Sequence, residues 1–231
     1  MYEKRAAVEH ETLAGHGEAG EYFVIFLDNY DQDCRFGDIS RARHPEQTMT
    51  LALALLFTLQ GIPCVYYGTE QGLKGHKTKT QRDDSRVREA LWGKRNAFDT
   101  GAALYQVIAA LSALRRDHPA LRCGGQFFRP LSGDGVHFDL SRTPGGVLAY
   151  SRILERDEVL VAANTHPKEA FTGEIVVDWD RGRAGAKWQV LWSNLSGATV
   201  PGVVLEREAG LPLRVLPVSL RPGEVQILGP V

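Results

Sequence analysis

Two clusters of carboxylates and aromatic rings are the candidate chemistry of this chain. Asp28, Asn29, Tyr30 and Asp31 follow one apolar run, and Tyr66, Tyr67, Gly68, Thr69 and Glu70 close another. A carboxylate accepts hydrogen bonds from sugar hydroxyls, and an aromatic ring offers a flat apolar face to a pyranose. The combination suits a carbohydrate-binding surface. Asp and Asn also start turns after strands for purely structural reasons, so the pattern alone leaves both readings open for Asp28 and Asn29.

The elements that would position these clusters alternate. Residues 21–27 (EYFVIFL) are continuously apolar and rich in aromatic and β-branched types, the profile of a strand buried on both faces of a parallel sheet. A helix is expected over 45–60, with Pro45 in its first turn and Gly61 as its C-terminal cap. A second short strand is expected over 62–67. The polar stretch 68–100 has the length of a functional or disordered loop. Over 102–116, Leu104, Val107, Ile108, Leu111 and Leu114 share one helical face, with Asp99 or Thr100 as N-cap and Arg115 and Arg116 at the negative C-terminal end. A charged helix over 2–15 precedes all of this and is broken by Gly15, Gly17 and Gly20. In α/β sheets and barrels the active site lies at the C-terminal ends of the strands, and both clusters sit there.

After Pro119 the pattern changes to short β-type runs at 126–129, 136–140, 147–153, 159–163, 174–178, 188–192, 213–218 and 224–228. Gly, Pro, Asn or Asp separate most of them, as in an antiparallel β-sandwich. The expected organisation is α/β followed by all-β, with one domain over 1–122 and a second over 123–231. Trp179, Trp188 and Trp192 are expected in the sandwich core rather than on a sugar platform.

Phe26-Leu27-Asp28-Asn29-Tyr30-Asp31 resembles the last conserved motif of the α-amylase family of glycoside hydrolases, family 13, usually F-[VL]-D-N-H-D. Gly61-Ile62-Pro63-Cys64-Val65-Tyr66-Tyr67-Gly68-Thr69-Glu70 is similar to that family's final barrel strand, and Arg86-Val87-Arg88-Glu89-Ala90-Leu91-Trp92 to the segment after it. The motifs stand in the family's order with an apolar helix between them. The resemblance implies about the last two βα units of a (β/α)8 barrel of the TIM type, followed by the family's C-terminal sandwich.

By the same resemblance Asp31 matches the third catalytic carboxylate, which bonds sugar hydroxyls beside the scissile bond and favours the oxocarbenium-like transition state. Asn29, Tyr30 and Tyr67 are the substrate-binding candidates, Tyr30 standing where the family usually has His. Glu70 is expected to orient loops, and Gln32 and Arg35 either line the site or are ordinary loop residues. The family's nucleophile Asp and acid Glu lie on earlier strands, and the 20 residues before Glu21 carry no strand pattern. The expectation is therefore a fragment of a retaining α-glucoside-acting hydrolase or glucosyltransferase, inactive alone, acting on an α-glucan or small α-glucoside and completed by a complementary N-terminal fragment. The alternative is a non-catalytic α-glucan-binding or partner-subunit protein. Two parallel strands cannot close a barrel, so the first domain is expected to aggregate in isolation.

Composition narrows the remaining classes. With 27 basic and 28 acidic residues the net charge is −1, and no basic patch points to nucleic acid or an anionic membrane. The N-terminus has no apolar signal-like run, which points to the cytoplasm. Cys34, Cys64 and Cys123 lack metal-ligand spacing and are expected to be buried free thiols. No metal or cofactor is expected.

Overall fold

The computed structural model describes residues 19–38, 44–78, 80, 83–141, 146–180 and 182–231. The helix expected over 2–15 lies outside the described residues. The chain divides into two compact units, Met1–Asp117 and His118–Val231. The division falls before the boundary expected near residue 122, because a short helix at Pro119–Cys123 packs against strands of the second unit.

In the first unit a 3-10 turn at Ala19–Tyr22 leads into β1 (Val24–Phe26), followed by α1 (Pro45–Thr58), β2 (Ile62–Cys64), a 3-10 turn at Asp84–Arg86 and α2 (Ala103–Asp117). β1 and β2 pair in parallel, with Val24 opposite Ile62 and Phe26 opposite Cys64. Parallel pairing brings their C-terminal ends, and hence both residue clusters, to the same end of the sheet. α1 begins with Pro45 in its first turn and is deeply buried through Met49, Leu53, Leu56 and Phe57. Its C-cap is Leu59 in an extended conformation, not Gly61. Gly61 instead turns the chain into β2. It has φ +119°, and a Cβ there would lie 2.5 Å from the Phe23 carbonyl oxygen, which accepts from the Ile62 N–H at 2.8 Å. α2 packs against α1, and Arg115 donates to the Phe57 and Gly61 carbonyls at 2.9 and 2.7 Å. These bonds tie α2 to the turn that launches β2.

The structure corrects the burial expected for β1 and for the cysteines. The 21–27 run reads as buried on both faces, yet Val24 is 57% exposed and Phe26 46%, and Ile62 beside them is 47% exposed. These residues share one face of a two-stranded sheet, so two short strands carry apolar side chains that nothing among the described residues covers. For the same reason Cys64, on that face, is exposed; Cys123 is also exposed and Cys34 half-buried, so the thiols are not core residues.

The second unit opens with α3 (Pro119–Cys123) and is otherwise β: β3 (Gly125–Phe128), β4 (Leu131–Ser132), β5 (Val147–Leu154), β6 (Asp157–Asn164), β7 (Phe171–Val176), β8 (Trp188–Ser193), β9 (Leu205–Glu208), β10 (Pro212–Leu220) and β11 (Val225–Pro230). A five-stranded sheet runs β3-β5-β6-β11-β8 and a four-stranded sheet β4-β7-β10-β9, all antiparallel. One core joins them: Ala149, Leu160, Ala162 and Leu228 from the first sheet meet Ile175, Leu216, Val218 and Leu220 from the second. Alternate residues of each strand face this core, which is the packing of two stacked sheets. β6 is buried almost throughout, since α3 lies against β5 and β6 on the sheet's other face.

The run at 136–140 forms no strand; Asp139 makes an isolated bridge to Leu131 while Asp134 gathers the turn through bonds from the Val136 and His137 amides. Of the tryptophans, Trp188 is in the core and Trp192 half-buried. Trp179 departs from expectation: it is exposed, stacked under the Arg214 guanidinium at 4.2 Å.

The shared core makes a quantitative prediction. Leu216 is fully buried between the sheets, so Leu216→Ala should destabilise the second unit by about 2–5 kcal/mol through lost transfer energy and a residual cavity. Val200, 69% exposed, should change stability by less than about 0.5 kcal/mol when replaced by Ala. Urea unfolding of the two variants beside the parent measures both.

Candidate functional site at the strand ends

The chain leaves β1 at Phe26 and reaches Asp28 two residues later. Asp28 is 3% exposed. Its Oδ2 accepts from the Phe36 N–H at 2.8 Å and its Oδ1 from the Thr69 hydroxyl at 3.4 Å. The first bond closes the loop after β1, and the second joins it to the loop after β2. Burial pushes the Asp28 carboxyl above the usual carboxylate range, only partly opposed by the Phe36 amide and the nearby Arg35 charge. Asp28 is thus neither the free turn residue nor a solvent-facing sugar ligand.

Arg35 lies inside the same loop and is fully buried. Its Nη1 donates to the Tyr67 carbonyl at 2.7 Å. Its guanidinium carbon sits 4.4 Å from the Tyr66 ring centroid and 5.0 Å from that of Tyr67, and its Nε is 3.5 Å from a Glu89 carboxylate oxygen. A buried cation needs such partners, because an unpaired one costs several kcal/mol. Two ring faces, Glu89 and the Asp28 field supply them. Gly68 makes room: its φ is +87°, and a Cβ there would meet the Leu73 side chain at 2.5 Å and the Arg35 Nη1 at 3.3 Å. Glu70 closes the turn, its Oε2 accepting from the Gly68 N–H at 2.7 Å. Tyr66 and Tyr67 meet edge to face at 4.7 Å. The Tyr66 hydroxyl donates to the Val87 carbonyl at 3.0 Å, and burial, with Tyr67 adding, pushes its phenol up to about 12.

Outside this packed layer are the residues that can meet a ligand. Asn29 accepts from the Asp31 N–H at 2.8 Å through its side-chain oxygen, an Asx turn that points the next residues outward. Tyr30 is 53% exposed and Tyr67 38%. The Asp31 side chain is 66% exposed, with the Arg88 Nη2 3.6 Å from its Oδ1. Arg88 also donates through Nε to the Tyr30 carbonyl at 3.5 Å and covers the Tyr30 ring at 5.1 Å.

All four candidates, Asn29, Tyr30, Asp31 and Tyr67, therefore lie at the C-terminal end of the β1–β2 pair and are connected through Asp28, Thr69, Arg35 and Arg88. The arrangement presents one exposed carboxylate and two exposed phenol rings at the same strand ends, over a layer that holds the buried Arg35. It can accept hydrogen bonds from polyol hydroxyls and stack on an apolar ring face. Sequence reasoning left Arg35 undecided and missed Asp28 as a brace and Arg88 as a contact of Asp31. For Arg88 the signal was its place in the segment following β2. Among the described residues no group of three or more His, Cys, Asp or Glu is placed to hold a metal ion.

Residues 7–122 match the family of the α-amylase catalytic domain, half of the chain. A cyclomaltodextrin glucanotransferase from Paenibacillus macerans is 32% identical over 165 residues, covering 70% of this chain and 20% of that protein. An α-amylase from Niallia circulans is 35% identical over 149 residues, covering 64% and 23%. The chain thus spans about a fifth of the length of the curated relatives it matches. Among solved structures, a cyclomaltodextrin glucanotransferase with a three-domain ABC distribution superposes with a TM-score of 0.64 at 27% identity, covering 92% of this chain and 37% of that one. The acarbose complex of the Geobacillus thermoleovorans α-amylase superposes at 0.60 with 19% identity, covering 91% and 39%, a likeness of fold. With strand-end motifs, fold and family match in agreement, the chain belongs to the α-amylase family.

Proposed function

We propose that this chain supplies the closing βα units and the C-terminal β domain of a retaining α-glucoside-acting hydrolase or glucosyltransferase, with Asp31 as its transition-state-stabilising carboxylate. One observation carries the reading: Asp31 is an exposed carboxylate in the Asn29 turn at the strand ends, where Tyr30 and Tyr67 are also exposed. The ligand class is an α-glucan or small α-glucoside, in keeping with relatives that are cyclomaltodextrin glucanotransferases and α-amylases.

In this reading Asp31 accepts hydrogen bonds from hydroxyls next to the scissile bond. Those bonds strengthen as positive charge develops on the sugar ring, so they favour the transition state over the bound ground state. Tyr30 and Tyr67 contribute ring faces and one phenolic hydrogen bond each, and Asn29 fixes the direction of Asp31. Retaining chemistry also needs a nucleophile and a proton donor about 5–5.5 Å apart. The family pattern puts both on earlier barrel strands, so a complementary portion of the barrel is the partner. The uncovered apolar face of Val24, Phe26, Ile62 and Cys64 suits docking against further strands. Asp28 does not stand in for the missing acid, since its oxygens are engaged by Phe36 and Thr69.

Isothermal titration with maltoheptaose tests the ligand class. The 231-residue chain should bind, and Asp31→Asn should weaken binding by about tenfold, the equivalent of one good hydrogen bond to a charged group. Release of nitrophenol from nitrophenyl maltosides should stay at background for this chain alone. Undiminished binding by Asp31→Asn would remove Asp31 from the site.

The pH dependence of stability follows from Asp28. Its carboxyl titrates above its ordinary 3.8 in the folded chain, so the folded state holds the proton more tightly than the unfolded chain does. The stability this group contributes is complete below the unfolded value and is lost as pH rises through the raised folded value. Asp28→Asn keeps an acceptor for the Phe36 amide and has no proton to lose. Its thermal midpoint should therefore vary less than the parent's as pH rises from about 4; identical pH profiles would contradict the burial of an ionisable Asp28.

A further inference from the structure

Arg88 makes a set of contacts that the sugar-binding reading leaves unused. Its guanidinium meets three groups. The Asp84 carboxylate lies 2.9 Å from Nη2, the Asp31 carboxylate 3.6 Å from the same nitrogen, and the Tyr30 carbonyl accepts from Nε at 3.5 Å. Its plane also covers the Tyr30 ring at 5.1 Å. The backbone that carries Arg88 is itself fixed. Val87, next to it, is fully buried, and its carbonyl is held by the Tyr66 hydroxyl. Asp84 is held in turn by Lys77 at 2.8 Å, in a 3-10 turn capped by the Asp83 side chain on the Ser85 N–H.

These contacts run from the body of the unit outward to two residues exposed at the strand end. An aspartate two-thirds exposed has little to restrain its side chain, and ordering it on ligand binding costs conformational entropy. A cation that already holds it removes part of that cost. A planar guanidinium does so with more direction than an ammonium, because it bonds Asp84 and the Tyr30 carbonyl along fixed axes while its face rests on a ring. The Arg88–Asp31 pair is exposed on both sides, so it contributes little to folding stability. Its effect falls on orientation.

We propose that Arg88 is a positioning residue for the sugar site, one that clamps Asp31 and Tyr30 into a single pre-oriented unit for α-glucan hydroxyls. It acts through Asp31 rather than by touching the sugar. The inference rests on the α-glucan reading for its ligand, but its first test needs no ligand.

That test is the Asp31 side-chain rotamer in the sugar-free chain, read from NMR three-bond couplings about χ1. The parent should show one dominant rotamer, and Arg88→Gln should show averaging, with the thermal midpoint unchanged. Averaging already present in the parent, or a rotamer untouched by Arg88→Gln, overturns the proposal whatever the ligand. The second test is maltoheptaose affinity. Arg88→Gln should bind about tenfold more weakly, Arg88→Lys should recover only part of the loss, and Arg88→Gln should cost clearly less in the Asp31→Asn background, where only its hold on Tyr30 is left to lose. Equal losses in both backgrounds would mean direct contact or a structural role, and overturn it. A parent that holds Asp31 in one rotamer yet binds no maltoheptaose would overturn the α-glucan reading, and with it the α-glucan as the ligand that Arg88 serves.

Discussion

A buried positive charge organises the functional end of this chain. Arg35 has no access to water, and a guanidinium in that position is tolerable only when surrounded by acceptors, anions and ring faces. Meeting that requirement brings together residues far apart in sequence: the Tyr67 carbonyl and the Tyr66 and Tyr67 rings after β2, Glu89 beyond the 3-10 turn, and Asp28 after β1. Glu89 is held in its turn by Lys94. The two strand-end loops are thereby locked to each other, although the sheet beneath them has two short strands.

From that lock follows a division between the two carboxylates of one motif. Asp28 faces inward and is used up in bracing Phe36 and Thr69, whereas the Asp31 side chain is two-thirds exposed and meets only Arg88, at 3.6 Å, among the ion pairs of the described residues. Only Asn29 and Tyr30 separate the bracing aspartate from the solvent-facing one. The Asn29 side chain makes the difference, because its bond to the Asp31 amide turns the backbone out of the packed layer.

Much of this was legible in the sequence, and the remainder was not for physical reasons. The continuous apolar runs, Pro45 at a helix start and the regular β segments after Pro119 are local signals, and α1, α2 and most strands of the second unit lie where they point. The strand-end clusters were legible because parallel strands deliver their C-terminal loops to one side. The burial of Arg35 and the contact of Arg88 with Tyr30, 58 residues away, are tertiary facts that no local pattern carries. The run at 136–140 alternates like a strand, but Asp134 competes for its amides and wins. The apolar run of β1 reads as buried on both faces, yet Val24 and Phe26 are exposed among the described residues, because apolar composition records a tendency to be covered and not what does the covering.

The central claim is that the strand-end cluster, not the β domain, is where an α-glucan meets this chain. Amide NMR of the labelled chain during titration with maltoheptaose tests it most directly. The account predicts perturbations centred on Asn29, Tyr30, Asp31, Tyr67 and Arg88, with the sheets of the second unit unchanged. Perturbations confined to the second unit, or none at saturating sugar, would contradict it.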